Sequence, residues 1–242
     1  MIIVDTNYIK NLKSQNPEIY EAFDSLSKEH SMTLKKISHE FGNALTLINS
    51  SLQIIESSHP EVKSFKYWDT TMEDIAYLKT LISQISQFNN SELLSLSIIQ
   101  PAMILKDIIT TFSSYDDVIN KNISIKFESD SPVPDITGDY IKLKQVFINL
   151  IKNSIEACNE NASIKIRTYI KHSFLCIDIS DTGCGMSDLQ LENIFSPMVT
   201  YKPGGTGLGL PICKRIIEAH NGSISVMSLQ EQGTTFTIVL PL

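Results

Sequence analysis

The sequence has few cysteines and no long apolar run, so it lacks the features of disulfide-rich, zinc-binding and membrane-spanning proteins. It contains four cysteines, with no Cys-x-x-Cys pair and no histidine at zinc-ligand spacing: Cys158, Cys176, Cys184 and Cys213. We therefore expect free thiols rather than a disulfide framework or a structural zinc site. No apolar run approaches the roughly 20 residues of a spanning helix, and the apolar start at residues 1–4 is too short for a signal peptide. These absences predict a soluble, cytoplasmic protein.

An excess of basic charge is also missing. The 20 Lys and Arg residues are outnumbered by 27 Asp and Glu residues, which are scattered and give a formal charge of -7. The chain therefore lacks the basic footprint of a nucleic-acid-binding protein, although a local basic groove for phosphates stays possible. With 242 residues, of which 42% are hydrophobic, it is long enough to bury one or two cores, and we expect two domains.

Residues 29–96 have the pattern of a helical hairpin, preceded by a lead-in helix or linker over residues 1–28. Apolar residues recur every seven positions in the first helix, with others in the adjoining positions: Leu34, Phe41, Ile48 and Ile55, then Ile37, Ala44, Leu45 and Leu52. A second periodic set follows a break at residues 57–60: Ile75, Leu78, Ile82 and Ile85. Two such hairpins bury both apolar seams in a four-helix bundle, which predicts a homodimer.

His39 falls on the solvent side of this first helix, five positions after Leu34 in the seven-residue repeat. An exposed helical histidine is most often an ordinary surface residue. Here Glu40 is adjacent and can hydrogen-bond one ring nitrogen, which leaves the other as a nucleophile. Asn43 lies four residues on, on the same helix face. These neighbours favour a chemical role for the imidazole.

Residues 97–242 alternate strands and helices, which predicts an α/β sandwich with helices on one face of a mixed sheet. A helix that enters at Asp139, a plausible N-cap, carries Asn149 and Asn153 four residues apart. The two amides can be the solvated side of that helix or can face a ligand. Amide oxygens suit magnesium, which prefers hard ligands. The fold class is therefore a multi-domain chain, an α hairpin followed by an α+β domain.

Two glycine-containing motifs follow. Asp181-Thr-Gly183-Cys-Gly185 comes at the end of a strand, where a carboxylate can accept a hydrogen bond from an exocyclic amine. The run Gly205-Thr206-Gly207-Leu208-Gly209 opens a helix whose free N–H groups can face phosphates. It lacks the Gly-Lys-Ser/Thr of a Walker loop and the spacing of a dinucleotide fingerprint.

In this order, the motifs from Lys36 to Leu242 resemble those of sensor histidine kinases of two-component systems. Residues 38–45 look like the phosphoacceptor box, 145–157 the asparagine box, 181–185 the adenine-binding box, and 195–202 part of the ATP lid. One departure is Ala44, because the family usually has proline there; its absence predicts a straighter helix.

The resemblance implies a role for each matching residue. His39 would accept the phosphoryl group, Glu40 would be the general base, and Asn43 would orient water in a phosphatase reaction. In the second domain, Asn153 would bind Mg²⁺ and Asn149 would lie near the phosphates. The remaining residues would bind ATP: Asp181, Gly183, Gly185, Lys202, Gly205, Thr206, Gly207, Leu208 and Gly209.

The resemblance also implies an activity and partners. It implies ATP-dependent autophosphorylation of His39, followed by phosphotransfer to an aspartate of a separate response regulator. Two alternatives are an ATP-binding phosphotransfer scaffold and an ATPase without autokinase activity. Acid lability separates them, because phosphohistidine is lost in acid.

Overall fold

The chain divides into a first compact unit that ends at Asn89 and a second that spans Asn90–Leu242. The computed structural model describes residues 16–202 and 204–242. Residues 1–15 of the predicted lead-in lie outside that description. In the described part of the chain, no helix is long and apolar enough to cross a membrane.

The first unit is the predicted hairpin. Helix α1 spans Pro17–Ser58, a short 3-10 turn spans Pro60–Ser64, and helix α2 spans Trp68–Asn89. Pro60 ends α1, because proline cannot continue the backbone hydrogen bonds and disfavours helical geometry in the residue before it. Glu56 ties the turn together by pairing with Lys63 at 2.7 Å and accepting a hydrogen bond from the Trp68 indole at 3.4 Å. Helix α1 continues without a break through Ala44, as the absence of proline predicts.

The less exposed residues of α1 include Leu34, Leu45 and Leu52 of the predicted apolar set. Ser38 is buried, and a methyl group on Gly42 would touch Ile82 of α2 at 3.8 Å. Three residues of the seven-residue repeat are exposed in the single chain, at 59% for Phe41, 48% for Ile48 and 41% for Ile55. An apolar stripe is therefore left uncovered on α1.

The second unit is an α/β sandwich. Its helices are α3 (Pro101–Phe112), α4 (Asp116–Asn120), α5 (Tyr140–Ala157), α6 (Asp188–Asn193) and α7 (Gly209–Ala219). Its strands are β1 (Ser97–Ile99), β2 (Ser124–Ser129), β3 (Ile136–Gly138), β4 (Ser163–Lys171), β5 (Phe174–Asp181), β6 (Ser223–Leu229) and β7 (Gly233–Pro241). The sequence analysis did not predict β1, β3 or α4, which are short.

The main sheet has five strands in the order β2-β4-β5-β7-β6. Strands β2 and β4 are parallel and the other pairs are antiparallel, which confirms the mixed sheet. Strands β1 and β3 form a separate antiparallel pair. The pairing of β5 with β7 places Asp181, the last residue of β5, opposite Thr234 of β7. The candidate site begins at this end of the two strands.

Alternating strand residues and the apolar faces of α3, α5 and α7 form the core. Five large side chains of α3 and α5 have no exposed surface: Leu105, Leu143, Phe147, Leu150 and Ile151. They meet fully buried strand residues such as Ile166, Ile177 and Ile238. Burial of each such side chain stabilises the fold by about 1.5–3 kcal/mol. This packing fixes α5 against the sheet and sets where its polar residues lie.

Candidate functional site

The His39 imidazole is exposed on α1, as predicted, and one ring nitrogen is engaged. Its Nδ1 lies 3.2 Å from the side-chain nitrogen of Asn43. In the described part of the chain this ring contact is made by Asn43, whereas the sequence analysis assigned it to Glu40. The reason is geometric, since residues four apart stack on one helix face and adjacent residues do not. The contact leaves Nε2 free of Asn43.

Asp181 is the most heavily hydrogen-bonded side chain among the predicted site residues. Its Oδ1 accepts from the backbone N–H groups of Gly183 at 3.0 Å and Thr234 at 3.2 Å. Its Oδ2 accepts from the Ser154 hydroxyl of α5 at 2.9 Å. The buried carboxylate is therefore held from three elements in one orientation, and its second oxygen retains a lone pair for a ligand.

Burial raises the pKa of Asp181 above its ordinary value, and the three donors together with the positive charge of Lys202 offset only part of this effect. Nearby, burial and then the Asp181 charge raise the pKa of the Cys158 thiol to about 11. Burial likewise raises the pKa of Cys213 to about 12. These two thiols therefore remain protonated at neutral pH.

The glycines of the first motif are required by protein packing. A methyl group on Gly183 would lie 2.6 Å from the carbonyl oxygen of Ala157, at the end of α5. Gly185 has φ +63°, and a methyl group there would lie 2.0 Å from the Leu229 carbonyl oxygen. In the structure the two glycines let the loop after β5 pack against α5 and the end of β6, which holds Asp181 in place.

Asn153 and Lys202 lie in contact. The Lys202 ammonium donates to Asn153 Oδ1 at 3.0 Å and pairs with the Glu156 carboxylate at 2.5 Å. A positive charge thus already rests on the oxygen that was predicted to bind magnesium. Glu156 was not predicted, although its position three residues after Asn153 on the same helix face was a signal for it.

Asn149 faces the beginning of α7. Its side chain hydrogen-bonds with the Cys213 thiol, and its Nδ2 would lie 3.9 Å from a methyl group on Gly209. That is an ordinary contact distance. Because Gly209 has no side chain, there is room beside Asn149 at the start of α7. Asn149 therefore borders the region in which α7 presents its free N–H groups.

The second glycine motif forms the turn before α7. Gly207 has φ +68°, and a methyl group on it would lie 2.6 Å from both backbone N and O of Val199. The Met198 amide donates to the Gly207 carbonyl at 3.0 Å, which fastens the motif to the preceding segment. The Thr206 hydroxyl accepts from the amide of Leu208, which is buried at the start of α7. The start of α7 and the segment that precedes it are therefore packed together.

The arrangement fits a magnesium nucleotide. The Lys202 ammonium on Asn153 Oδ1 shows that this oxygen accepts a cation, as a magnesium ligand must. Among the described residues no three His, Cys, Asp or Glu side chains cluster as metal ligands. An ion at Asn153 would therefore take most of its shell from phosphates and water, which is the usual mode for magnesium.

The structure brings the predicted residues of the second unit into one region around α5, the end of β5 and the start of α7. His39, Glu40 and Asn43 lie together on α1 in the first unit. The sequence analysis missed Ser154 and Thr234, which hold Asp181. A serine buried in an apolar helix was a signal for the first, because such a hydroxyl needs a partner.

Comparison with known proteins agrees with this geometry. Residues 138–242 match the family model described as histidine kinase-, DNA gyrase B- and HSP90-like ATPase. Sporulation kinase C of Bacillus subtilis (strain 168) is 33% identical over 241 residues, which cover 97% of this chain and 55% of that protein. The chain thus spans about half the length of this relative.

Two solved structures are also similar. The nucleotide-free catalytic domain of the histidine kinase ThkA is 32% identical, with a TM-score of 0.55, and the match covers 61% of this chain and 95% of that one. Histidine kinase ThkA in complex with the response regulator TrrA has a TM-score of 0.60 at 24% identity, over 99% of this chain and 68% of that one. The second likeness shows the fold alone. The sequence relatives, the family model and the catalytic-domain structure together show that this chain belongs to the histidine kinases.

Proposed function

We propose that the chain is the catalytic core of a two-component histidine kinase, which autophosphorylates His39 with ATP and passes the phosphoryl group to an aspartate of a separate response regulator. The observation that carries this proposal is the meeting of Asn153 and Lys202 beside the anchored Asp181 carboxylate. An exposed imidazole on α1 supplies the acceptor.

Each residue of the second unit has a binding role in this proposal. The free lone pair of Asp181 accepts a hydrogen bond from the adenine amino group. The N–H groups at residues 205–209 face the polyphosphate at the positive end of α7. Lys202 pairs with the terminal phosphate, and Asn153 contributes an oxygen to Mg²⁺. Magnesium, when bound, would neutralise charge on the phosphates.

The His39 ring needs a lone pair on the attacking nitrogen. Rotation of the Asn43 side chain presents either its amide oxygen or its NH₂ group to Nδ1. With the oxygen inward, the ring proton stays on Nδ1 and Nε2 is the nucleophile. Its lone pair forms the N–P bond, the bond between the terminal phosphorus and the bridging oxygen breaks, and that electron pair leaves on ADP. After the attack the ring is cationic, and we assign acceptance of its Nδ1 proton to Glu40, which requires that the Asn43 contact open first.

The uncovered stripe at Phe41, Ile48 and Ile55 supports a homodimer. A second hairpin would bury these side chains in a four-helix bundle, which is the usual solution for an amphipathic hairpin. We assign residues 29–96 to this dimerisation and phosphotransfer domain, 97–242 to the ATP-binding domain and 1–28 to the lead-in. Because ATP and the receiver aspartate are cytoplasmic, we assign the core to the cytoplasm.

The alternative class is an ATPase or an ATP-binding scaffold that never phosphorylates itself. Its nucleotide site would look the same, since it uses Asp181, Asn153 and the glycine motifs alike. The exposed His39 with Asn43 in contact with its ring favours the kinase. The two classes differ in whether a phosphorylated protein forms.

The test is incubation of the purified protein with radiolabelled ATP and magnesium, followed by acid treatment. We expect acid-labile label in the parent and none in His39→Gln. His30→Gln changes another exposed histidine of α1 and is the matched control, which should retain the label. Label that survives acid, or that persists in His39→Gln, contradicts the proposal. Nucleotide binding without any label selects the scaffold or ATPase.

A further inference from the structure

The Lys202–Glu156 contact joins two segments that are 46 residues apart in sequence. Glu156 is in the last turn of α5, and Lys202 belongs to the segment between α6 and α7, which we call the lid (residues 195–202 and 204–208). The ammonium lies 2.5 Å from the Glu156 carboxylate and 3.0 Å from Asn153 Oδ1. Lys152 also approaches Glu156, but at 3.9 Å. Lys202 therefore has the close, two-oxygen contact.

Lys202 therefore contacts Asn153 Oδ1, the oxygen that the proposed function assigns to magnesium. An ammonium and a divalent cation repel each other, so both cannot contact Asn153 Oδ1 at once. The same ammonium is the group that the proposed function gives to the terminal phosphate. The contact seen here and the nucleotide-bound arrangement are therefore mutually exclusive.

The turns of the lid permit such a change of position. Gly204 has φ +69°, and a methyl group added to it would meet no atom within 4 Å. The Lys202 backbone carbonyl accepts a hydrogen bond from Gly205 at 3.1 Å and one from the Thr200 hydroxyl at 3.4 Å. The lysine thus lies in a small local turn, while Gly207 is fixed against Val199. The side chain can leave Asn153 without disturbing that fixed part.

We propose that Glu156 is a positioning residue that holds Lys202 on Asn153 in the nucleotide-free protein, where the ammonium takes the place of magnesium. This inference rests on the proposed function, because it uses the roles given there to Asn153 and Lys202. The phosphates of the nucleotide draw Lys202 away, and Asn153 then becomes accessible to the metal. Glu156 acts against binding, in contrast to a metal ligand, and the two roles predict opposite effects of its removal.

The test compares Glu156→Gln with the parent by two measurements. The first is amide hydrogen exchange of the lid in the absence of nucleotide and metal, where we expect faster exchange in the variant. The second is the affinity for a fluorescent ADP analogue with magnesium. Removal of an exposed ion pair predicts binding that is about two- to fivefold tighter in the variant. Glu128→Gln, which breaks the exposed 2.7 Å pair with Lys165, is the matched control and should change neither measurement.

Three results would overturn the inference. Weaker magnesium-dependent binding in Glu156→Gln would make Glu156 a contributor to the metal shell. Unchanged lid exchange together with unchanged affinity would make the ion pair a solvated surface contact. In both cases the parent still binds nucleotide, so the proposed function stands. A parent that fails to bind the nucleotide at all overturns the proposed function, and this inference with it.

Discussion

Ser154 in α5 donates a hydrogen bond of 2.9 Å to the Asp181 carboxylate at the end of β5, and both side chains are buried. The contact joins a helix to the sheet across 27 residues of sequence. A buried carboxylate is expensive to ionise unless its oxygens are satisfied. Ionisation of Asp181 therefore lowers the stability of the domain.

Asp181→Asn is expected to weaken nucleotide binding while the free domain remains at least as stable as the parent. Because burial raises the pKa of Asp181, its contribution to stability is fully present below pH 3.8 and is lost as the pH rises through the higher folded value. Asparagine carries no such charge. Urea unfolding should therefore show a difference in favour of the variant that grows as the pH rises from 3.8 through the folded pKa of Asp181 and is constant above it.

The same variant should lose at least about tenfold in affinity for a fluorescent ADP analogue, since it gives up a charged hydrogen bond. Ser154→Ala is the control, because it keeps the charge and removes one donor. It should lower the free energy of unfolding by about 1–3 kcal/mol. A less stable Asp181→Asn at neutral pH would contradict this account.

His220 links the end of α7 to the start of α5, and His220→Leu should destabilise the second unit by about 1–3 kcal/mol. The buried ring accepts from the Asp139 amide at 2.9 Å through Nε2 and donates through Nδ1 to the Ile216 carbonyl at 2.7 Å. Leucine leaves both backbone groups without these partners. Chemical denaturation measures the loss, and His220→Gln, whose amide oxygen can still accept, should lose less.

Asp139 caps α5, and Asp139→Ala should lower stability by about 1–2 kcal/mol at pH 7. Burial opposes its ionisation, but the backbone N–H groups of Ser95, Lys142 and Ile141 outweigh this and lower the pKa of Asp139. The stabilisation is therefore present above pH 3.8 and is lost as the pH falls through the lower folded value. Urea unfolding should show a full difference at pH 7 and a smaller one below pH 4. A pH-independent difference would contradict the assignment.

Gly207→Ala should impair nucleotide binding far more than Gly204→Ala. Both glycines have positive φ, which costs alanine about 1–2 kcal/mol. At Gly207 the added methyl group also meets the Val199 backbone at 2.6 Å, whereas at Gly204 it meets nothing within 4 Å. Titration with a fluorescent ADP analogue compares the two variants. Equal losses of affinity in the two variants would show that the positive φ alone, without the contact at Val199, causes the effect.

Phe41→Glu should shift the protein toward monomer, because the glutamate would lie within the stripe assigned to the dimer interface. Gln53→Glu adds the same charge on the exposed side of α1 that carries His39, and it should leave the assembly unchanged. Sedimentation measurements over a range of protein concentrations distinguish the two. An unchanged dimer in Phe41→Glu would place the interface elsewhere.

Local patterns were sufficient to predict much of this structure. Patterns of neighbouring residues indicate the Asp139 cap, the apolar face of α5 and the glycine-rich start of α7. Each is found where predicted. The exposure of His39 followed from the seven-residue repeat in the same way.

The relationships that escaped prediction are long-range. Thr234 lies 53 residues from Asp181, and no local pattern shows that its amide reaches the carboxylate. The same holds for Lys202 on Glu156. Packing between elements decides these contacts.

The unbroken α1 also acts as a mechanical element. Its 42 residues contain no proline after Pro17, so it is a rod about 60 Å long. A helix hydrogen-bonded throughout resists torsion, and a rotation imposed near Pro17 would reach His39 with little loss. Successive residues of a helix lie about 100° apart around its axis. A rotation of α1 by about that angle would change which side chains face α2 and which face solvent. The direction in which the His39 side chain points therefore changes with any rotation of α1.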